Sequence, residues 1–358
     1  SRVARNLVAS SDVRTRDAFS TCSGAATLNA ALRPQHKHSA AVLIAPGRVQ
    51  LRELDVPKPA ADEIRIRMQG CGVCASGLPV WEGRPWFEYP LEPGSPGHEG
   101  WGVVDALGSN VHDLEQGDRV AVVSYRAFAQ FDVAPRAAVV KLPAQLDGRA
   151  FPGEPLGCAM NIFERGDIRA GMSVAIVGGG FLGVLLTQLA TRAGATVVVL
   201  SRRECSRRQS LAAGAVAVVD ATDGVAAGKH AHALSCGCGF DRVIEAAGVQ
   251  AALDLASAVT AEHGRLVIAG YHQDGLRQVD MQSWNWRGLD VVNAHERKVE
   301  RYAAGIHAAI DAVLDGRLDP FPLLTHMMPL AALGEAFELA RIRPAGFMKA
   351  CVMMEDAA

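Results

Sequence analysis

The pattern of apolar and polar positions divides the chain into a β-rich first part and a later part in which strands alternate with helices. Residues 40–44 form an apolar run, and residues 63–68 alternate between apolar and polar side chains, as in a half-buried strand. Residues 100–106 and 119–124 are further strand candidates, with Pro-Gly and Gly-Asp turn signals between the segments. The chain up to about residue 150 is therefore predicted to be rich in strands and loops.

The later part predicts a parallel sheet. The expected strands cover residues 173–177, 196–200, 242–245, 265–269 and 349–353, and the expected helices cover residues 181–193 and 299–314. Strands spaced by helices are typical of βαβ units and of a doubly wound parallel sheet. Long helical periodicity is predicted to begin only around Cys158.

Composition restricts the class of protein. The 358 residues fit two domains, and a composition of 49% hydrophobic and 21% charged residues is that of a globular chain. A formal net charge of -2 gives no electrostatic reason to expect nucleic acid or an acidic membrane as partner. Eight cysteines are expected as reduced thiols and metal ligands, which makes the cytoplasm the default location.

Two segments could be targeting or membrane elements. Residues 1–38 contain five Arg against two Asp, a composition typical of an organelle transit peptide; a disordered arm, vector-derived residues or an over-extended start are the other interpretations. No apolar stretch there is long enough for a secretory signal. Residues 170–191 have no charged side chain and could span a bilayer, but their five glycines favour a strand, a turn and a helix.

Three separated residues have the local setting of metal ligands. Cys74 lies in a Cys-Gly-Val-Cys-Ala-Ser segment, His98 lies between two glycines, and Cys158 ends a Glu-Pro-Leu-Gly-Cys segment. Three protein ligands leave one position on zinc open for water or substrate, so the pattern indicates a Lewis-acid enzyme. A glycine-rich turn at residues 178–183 fits a dinucleotide fingerprint. Zinc together with a dinucleotide suggests hydride transfer on an alcohol or carbonyl.

Each ligand candidate also has a plainer interpretation. Cys71 and Cys74 form a Cys-x-x-Cys pair, but a redox motif normally requires a thioredoxin-like βαβ context. A lone histidine such as His98 is usually a hydrogen-bonded surface side chain, and a free cysteine such as Cys158 often packs in the core. Glu99 is a candidate for a carboxylate that orients a ligand, or for an alternate ligand.

Taken in order, these motifs resemble the medium-chain dehydrogenase/reductase family, in its zinc-containing alcohol and polyol dehydrogenase branch. The likeness covers about residue 40 to the C-terminus. It is carried by residues 71–76, Gly-His-Glu-Gly at 97–100, Gly-Asp-Arg-Val at 117–120, Glu-Pro-Leu-Gly-Cys-Ala at 154–159, the glycine turn and Phe-Asp-Arg-Val-Ile-Glu-Ala-Ala-Gly at 240–248. A lone glycine fingerprint is weak evidence, whereas the ordered set is specific.

The resemblance implies an α/β fold class, with a GroES-like β-barrel catalytic domain and a Rossmann domain with a doubly wound parallel sheet. After the arm at 1–38, residues 39–165 are expected to begin the catalytic domain and residues 166–300 to form the Rossmann domain. Residues 301–358 then return to complete the catalytic domain, with the active site in the cleft between the two domains.

The resemblance also implies roles at the metal site: zinc ligands Cys74, His98 and Cys158, an alternate ligand Glu99, and a proton-relaying hydroxyl on Ser76. Glu154 competes with Cys158 for the third position, because polyol-type relatives place a glutamate in this segment. The family usually has an aspartate directly after the relaying hydroxyl and often a histidine two residues later. This chain has Gly77 and Pro79 there, so the carboxylate and the end of the relay are both in doubt.

A nicotinamide cofactor is implied, with contacts at Gly178, Gly180, Phe181, Leu182, Gly183, Ser201, Arg202, Arg203, Ala247, Gly270 and Lys349. An NAD fingerprint has an Asp or Glu about twenty residues past the glycines. Here Ser201 takes that place and two arginines follow, which predicts a preference for NADP(H), because a guanidinium can bind the 2′-phosphate. The alternative is that both arginines only pair with surface acids such as Glu204.

The sequence also predicts the number of metal sites, the place of the aromatic residues and the partners of the chain. The span from Gly117 to Pro143 has no cysteine, so one catalytic zinc and no structural zinc is expected. The tract His230, His232, Cys236 and Cys238 has metal-ligand side chains, but the resemblance implies a surface helix and glycine turn there, so it is interpreted as a surface feature or an adventitious binding site rather than a functional metal site. Aromatic residues near the first ligand (Trp81, Trp86, Phe87) and before the late strand (Trp284, Trp286) either pack or line a substrate cleft. A small-molecule alcohol or carbonyl substrate and a homodimer or homotetramer, associating around residues 285–310, are expected, with neither nucleic acid nor membrane as partner.

Two competing functions remain. A zinc-free quinone or enoyl reductase of the same superfamily is disfavoured by the presence of Cys74, His98 and Cys158. A non-catalytic protein that kept the fold is supported only by the missing aspartate at position 77.

Overall fold

The computed structural model describes residues 37–354. Its strands are β1 Lys37–Ala45, β2 Arg48–Asp55, β3 Glu63–Gly72, β4 Glu99–Leu107, β5 Arg119–Val122, β6 Phe131–Pro135, β7 Val139–Lys141, β8 Ser173–Val177, β9 Thr196–Ser201, β10 Ala217–Asp220, β11 Phe240–Glu245, β12 Thr260–Ile268, β13 Asp290–Asn293, β14 His326–Pro329 and β15 Ala350–Met353. Its α-helices are α1 Leu78–Trp81, α2 Gly153–Gly166, α3 Phe181–Arg192, α4 Glu204–Ala212, α5 Gly224–Leu234, α6 Gln250–Val259, α7 Met281–Arg287, α8 Val299–Leu314 and α9 Leu333–Ile342.

The predicted N-terminal arm lies almost wholly outside the described residues. The exception is at its end, because β1 already begins at Lys37, and His38 is buried in this strand. The backbone amide of Phe131 donates a hydrogen bond to His38 Nδ1 at 3.3 Å. The last two residues of the expected arm therefore belong to the fold.

The first part of the chain builds a largely antiparallel sheet around β3. The alternation predicted for this strand holds, since Ile64, Ile66 and Met68 are buried and the residues between them are partly exposed. Strand β3 pairs antiparallel with β4, β6 and β15. The β3–β4 pairing aligns Gly72 with Glu99 and brings the ends of two predicted ligand segments together.

The middle of the chain forms a second, parallel sheet in the order β10-β9-β8-β11-β12-β13. This is the doubly wound order in which ligands bind at the carboxyl ends of the strands. Strands β8 and β9 are buried along most of their length, as expected of strands covered by helices on both faces. The carboxyl ends of β8, β11 and β12 therefore lie along the edge where a dinucleotide is expected.

The last segment returns to the first sheet, because β15 pairs with β3 after α8, β14 and α9. Helix α8 packs closely on α2. A Cβ on Gly157 would lie 2.9 Å from the backbone nitrogen of Ile306, and one on Gly305 would lie 2.6 Å from the carbonyl oxygen of Gly157. Both positions require glycine for this approach, and the contact anchors the helix that carries Cys158.

The structure corrects the predicted start of helix α2 and shows how the uncharged segment 170–191 folds. Helix α2 begins at Gly153, five residues before the predicted onset of helical periodicity at Cys158. Pro155 is tolerated because the amides of a first helical turn have no partner within the helix. The uncharged segment 170–191 is a strand, a turn and a helix, and no helix within residues 37–354 is long and apolar enough to cross a membrane.

Candidate metal and cofactor site

Cys74, His98 and Glu99 come together at the ends of β3 and β4. One ligand atom from each residue lies within 4.8 Å of those of the other two, the single such group of three or more among residues 37–354. Gly72 makes room for this arrangement, because a Cβ there would lie 1.9 Å from Glu99 Oε2. Sulfur, imidazole nitrogen and carboxylate oxygen are donors that zinc accepts in proteins.

The hydrogen bonds of His98 orient its ring for metal binding. Nδ1 lies 2.8 Å from the carbonyl oxygen of Pro96, and Nε2 lies 3.4 Å from Ser76 Oγ. A carbonyl can only accept, so Nδ1 carries a proton, and in the neutral ring that binds a metal the lone pair is on Nε2. Metal-binding histidines are commonly oriented by such a bond from the other ring nitrogen.

The surroundings of His98 favour positive charge. Burial lowers the pKa of His98, but the hydrogen bond and charge of Cys74, together with the carboxylates of Glu154 and Glu99, outweigh burial and raise the pKa to about 10. The same groups that stabilise a protonated imidazole would stabilise a bound cation. The electrostatics of the site therefore fit a metal ion.

Glu99 supplies an unpaired oxygen in this group. Its side chain is completely buried, and Oε1 accepts a hydrogen bond from Lys349 Nζ at 2.6 Å. Oε2 is buried without a hydrogen-bond partner among the described residues. A buried carboxylate oxygen without a partner is costly, and a metal ion would satisfy it. Glu99, predicted only as an alternate ligand, fits the metal as well as Cys74 and His98 do.

Cys158, predicted as the third ligand, does not belong to the group of three. Its thiol donates a hydrogen bond to Glu154 Oε1 at 3.2 Å, one turn earlier on α2. Burial and the neighbouring Glu154 raise the pKa of the Cys158 thiol well above its ordinary value. Burial likewise raises the pKa of Glu154, and this carboxyl acts electrostatically on His98. Cys158 and Glu154 therefore lie beside the ligand group as a hydrogen-bonded pair.

The glycine turn between β8 and α3 has the geometry of a phosphate-binding turn. Gly178 has φ +117°, and a Cβ on Gly183 would lie 1.9 Å from the carbonyl oxygen of Gly178. A Cβ on Gly180 would meet open space, and no side chain caps α3, which begins at Phe181 and Leu182. The free amides at this helix N-terminus are directed at the space where a pyrophosphate would bind.

Strand β9 ends at the residues predicted to select the cofactor. Ser201 is buried, and Arg203 donates a hydrogen bond to the carbonyl oxygen of Phe347 at 2.7 Å. The exposed guanidinium of Arg202 has no hydrogen-bond or ion-pair partner among residues 37–354, and neither arginine pairs with Glu204. The alternative in which both arginines are occupied by surface acids does not apply here.

The remaining predicted cofactor residues lie at the carboxyl ends of β11 and β12 or on the return segment. The amide of Ala247 donates to Glu245 Oε1 at 2.8 Å, and a Cβ on Gly270 would lie 2.5 Å from Glu245 Oε2. Lys349 Nζ lies 5.2 Å from the ring centroid of Phe181. Lys349 thus connects Glu99 of the ligand group with the first residue of the cofactor helix.

Comparisons with known proteins bear on this site. The family profile described as a zinc-binding dehydrogenase matches residues 182–312, and that of the alcohol dehydrogenase GroES-like domain matches residues 60–144. The chain belongs to the zinc-containing medium-chain alcohol and polyol dehydrogenases. It is an alcohol-dehydrogenase-like oxidoreductase, and its fold combines the GroES-like and Rossmann architectures that the motifs predicted.

Individual relatives are similar along most of their length. Human sorbitol dehydrogenase is 26% identical over 333 residues, which cover 83% of this chain and 91% of that protein. The 2-dehydro-3-deoxy-L-galactonate 5-dehydrogenase of Pseudoalteromonas atlantica is 26% identical over 323 residues, 82% of this chain and 92% of that protein. A putative zinc-binding dehydrogenase from Sinorhizobium meliloti, solved bound to NADP, has a TM-score of 0.76 at 27% identity and covers 89% of this chain and 100% of that one.

This dehydrogenase departs from its family beside Ser76, and packing gives the reason. A Cβ on Gly77 would lie 2.9 Å from Phe337 Cε1, so the family's aspartate does not fit against this ring. Phe337 is itself fixed by stacking on Trp81, with ring centroids 5.2 Å apart. Trp81 is therefore a packing residue, while Trp86 is 55% exposed. Position 77 is part of the core in this chain.

Sequence reasoning missed two tyrosines, one beside His98 of the ligand group and one near the pair Cys158 and Glu154. The Tyr125 ring lies 6.0 Å from that of His98, and its side chain is 67% exposed. Tyr302 Oη donates to the carbonyl oxygen of Glu296 at 2.9 Å, and burial together with Cys158 raises the pKa of this phenol. Tyr125 lies in a loop without a motif, and no sequence signal marks it. Tyr302 lies in the predicted helix α8, but its place near Cys158 depends on the packing of α8 on α2.

The histidine and cysteine tract at 230–238 behaves as a surface feature. Cys236 and Cys238 are exposed on the loop after α5, and the tract contributes to no group of three potential ligands within 4.8 Å in the described part of the chain. The prediction that it is not a functional metal site is consistent with this arrangement.

Proposed function

We propose that this dehydrogenase interconverts an alcohol or polyol and its aldehyde or ketone, with zinc held by Cys74, His98 and Glu99 and with NADP(H) as the preferred cofactor. The unpartnered Glu99 Oε2 beside Cys74 and His98 is the observation that carries the proposal. Zinc, when bound, polarises the substrate oxygen and makes an alcohol more acidic, while the nicotinamide exchanges the hydride. This ligand set replaces Cys158 by Glu99.

The chain's own residues would handle the proton. Ser76 Oγ lies 3.4 Å from His98 Nε2, within reach of a substrate hydroxyl held at the ligand group. Ser76 is only half-buried and follows the exposed Ala75, so we propose that a proton passes from the substrate hydroxyl through Ser76 Oγ to solvent. This route needs neither of the residues that the family usually has after the serine.

The cofactor preference rests on the end of β9. A carboxylate at position 201 would repel a 2′-phosphate, whereas Ser201 can donate a hydrogen bond to it. The unpaired Arg202 guanidinium supplies charge without having to break an existing ion pair. The NADP-bound relative from Sinorhizobium meliloti is consistent with this preference.

Self-association is proposed through the edge of the parallel sheet. Strand β13 lies at one end of the sheet order, and Trp286, in the helix α7 that directly precedes this strand, is 88% exposed. An open strand edge beside an exposed apolar side chain is a liability in a monomer. We expect sedimentation at micromolar concentration to give a dimer or tetramer, and a monomer would contradict the proposal.

Metal content and turnover together test the proposed function. The purified protein should contain one zinc per chain and turn over members of a panel of alcohols, polyols, aldehydes and ketones, followed by nicotinamide absorbance. Cys74→Ser and Glu99→Gln should lose both zinc and activity, whereas Cys158→Ala and the neighbouring control Cys71→Ala should retain zinc. Loss of zinc in Cys158→Ala but not in Glu99→Gln would restore the Cys158 ligand set. Turnover without zinc would instead indicate the zinc-free reductase.

A further inference from the structure

A buried carboxylate at the carboxyl end of β11 organises the turn that follows it. Glu245 is completely buried, and its Oε1 accepts the backbone amides of Ala247 at 2.8 Å and Gly248 at 2.7 Å. Its Oε2 lies 2.9 Å from His272 Nε2. One carboxylate therefore joins the turn after β11 to the loop after β12, on the edge of the sheet where ligands bind.

Arginine completes this connection from the other side of the histidine. Arg277 Nε donates to His272 Nδ1 at 2.7 Å, while Nη2 donates to the carbonyl oxygen of Gly248 at 3.1 Å and to the carboxylate of Asp274. Because a guanidinium has no acceptor, Nδ1 must accept and Nε2 must carry the proton donated to Glu245. His272 is thus the central member of a hydrogen-bonded clamp that consists of Glu245, His272, Arg277 and Asp274.

The loop held by this clamp crosses to the metal-binding segment. Gln273 Nε2 donates to the carbonyl oxygen of Ala75 at 3.4 Å, directly after Cys74. On the other side of His272, the ring of Tyr271 stacks on that of His295, with centroids 5.4 Å apart and planes at 15°. Tyr271 is 54% exposed, so its phenol is available to a ligand. The neighbours of His272 therefore reach the ligand group on one side and form an open aromatic face on the other.

We propose that His272 is a positioning residue for hydride transfer, which holds Tyr271 and Gln273 so that the substrate meets the nicotinamide in reactive geometry. The inference rests on the proposed function. His272 itself lies between Glu245 and Arg277 and touches no reacting atom. A displacement of about 1 Å in such a constellation can reduce the rate about 100-fold without a change in the reacting groups. The clamp therefore governs kcat more than cofactor affinity.

The test compares two substitutions in the zinc-loaded protein with a surface control. His272→Leu removes both hydrogen bonds, whereas His272→Gln retains a donor that can reach Glu245. His230→Leu makes the same change on the exposed surface of α5. We expect kcat to fall about 10- to 100-fold in His272→Leu, with the Kd of NADPH changed less than about 3-fold. His272→Gln should recover most of the rate, and His230→Leu should match the wild type.

Hydrogen exchange of residues 270–277 provides a readout independent of turnover. Faster exchange of this loop in His272→Leu, restored in His272→Gln, is the expected result. If the wild type turns over substrate and kcat is unchanged in His272→Leu, the positioning role is overturned while the proposed function stands. A parallel fall in kcat, NADPH affinity and thermal stability would also overturn it, as a general structural effect. If the wild type turns over no substrate, the proposed function fails. Hydrogen exchange with NADPH bound then tests the clamp by itself: equal exchange of residues 270–277 in His272→Leu and in the wild type would overturn the clamp as well.

Discussion

Lys349 Nζ lies 2.6 Å from Glu99 Oε1, and both side chains are almost completely buried. Burial lowers the pKa of this lysine, but the charges of Glu99 and Cys74 outweigh burial and raise the pKa above its ordinary value. The ammonium is therefore charged and compensates a carboxylate whose second oxygen remains free for a cation. Lys349 therefore stabilises the buried Glu99 carboxylate within the core.

Replacement of this lysine should destabilise the protein strongly. Removal of one partner of a buried pair typically costs about 3–5 kcal/mol, because the other charge is left uncompensated, so we expect a loss of that order in Lys349→Met. Lys141→Met is the matched control, since Lys141 pairs with Asp118 at 2.6 Å but is 56% exposed. That surface pair should contribute at most about 1 kcal/mol. Urea unfolding of the metal-free proteins measures the loss of unfolding free energy in both variants. Equal losses would contradict the assignment of Lys349 and Glu99 as a buried, charged pair.

Cofactor preference should depend on Arg202. In Arg202→Asp, repulsion of the 2′-phosphate should weaken NADP(H) at least about 10-fold more than NAD(H), because a charge-assisted bond is replaced by a like-charge contact. Arg192→Asp makes the same charge change at the far end of α3 and should leave the ratio unaltered. Steady-state specificity constants with both cofactors decide this. A wild type that already prefers NAD(H) would overturn the prediction.

The family's aspartate should not be tolerated at position 77. Gly77→Asp places a Cβ against Phe337 Cε1, at 2.9 Å, and overpacking of this kind typically costs about 1–3 kcal/mol. Phe337→Leu in the same chain should relieve part of the clash, so the two changes should be non-additive. Thermal unfolding of the single and double variants measures the coupling. A fully stable Gly77→Asp would mean that the ring moves freely.

Asp132 predicts a pH effect on stability, because ionisation of this buried carboxyl opposes folding. Its carboxyl is buried, Oδ2 has no partner among the described residues, and burial raises the pKa of Asp132 above its ordinary value. An acid whose pKa is raised by folding binds more protons in the native state, so its contribution to stability falls as pH rises from the unfolded to the folded pKa. Asp132→Asn should therefore stabilise the protein at pH 7, since Oδ1 can still accept the Val133 amide.

The gain from Asp132→Asn should shrink as pH falls below the folded-state pKa of this carboxyl. Asp113→Asn is the control of opposite sign, because a hydrogen bond and ion pair with Arg136 lower the pKa of that exposed acid. Chemical unfolding at pH 4 and pH 7 compares the two. A destabilised Asp132→Asn at pH 7 would show that the 3.9 Å ion pair between Arg126 Nε and Asp132 Oδ1 outweighs the cost of burying the charge.

Elements marked by local signals could be predicted closely. The sequence pattern predicts strand β8 at 173–177 and helix α8 at 299–314, and both have these bounds in the structure. Each is a hydrophobic run with a clear period and polar or glycine boundaries, so the information lies within the segment. Short strands such as β10 and β14 have no such signal, because their pairing partners stabilise them.

Motif order and hydrophobic period are properties of the chain, so the amino-acid sequence is enough to predict the family, the doubly wound sheet and the ligand candidates Cys74 and His98. The rest of the candidate site depends on how the elements pack. The pairing of Gly72 with Glu99 brings this carboxylate into the ligand group, while the helical spacing on α2 pairs Cys158 with Glu154 instead. The clamp around His272 likewise depends on contacts between segments far apart in sequence. Ligand distance and hydrogen bonding are relations between elements, and only packing sets them.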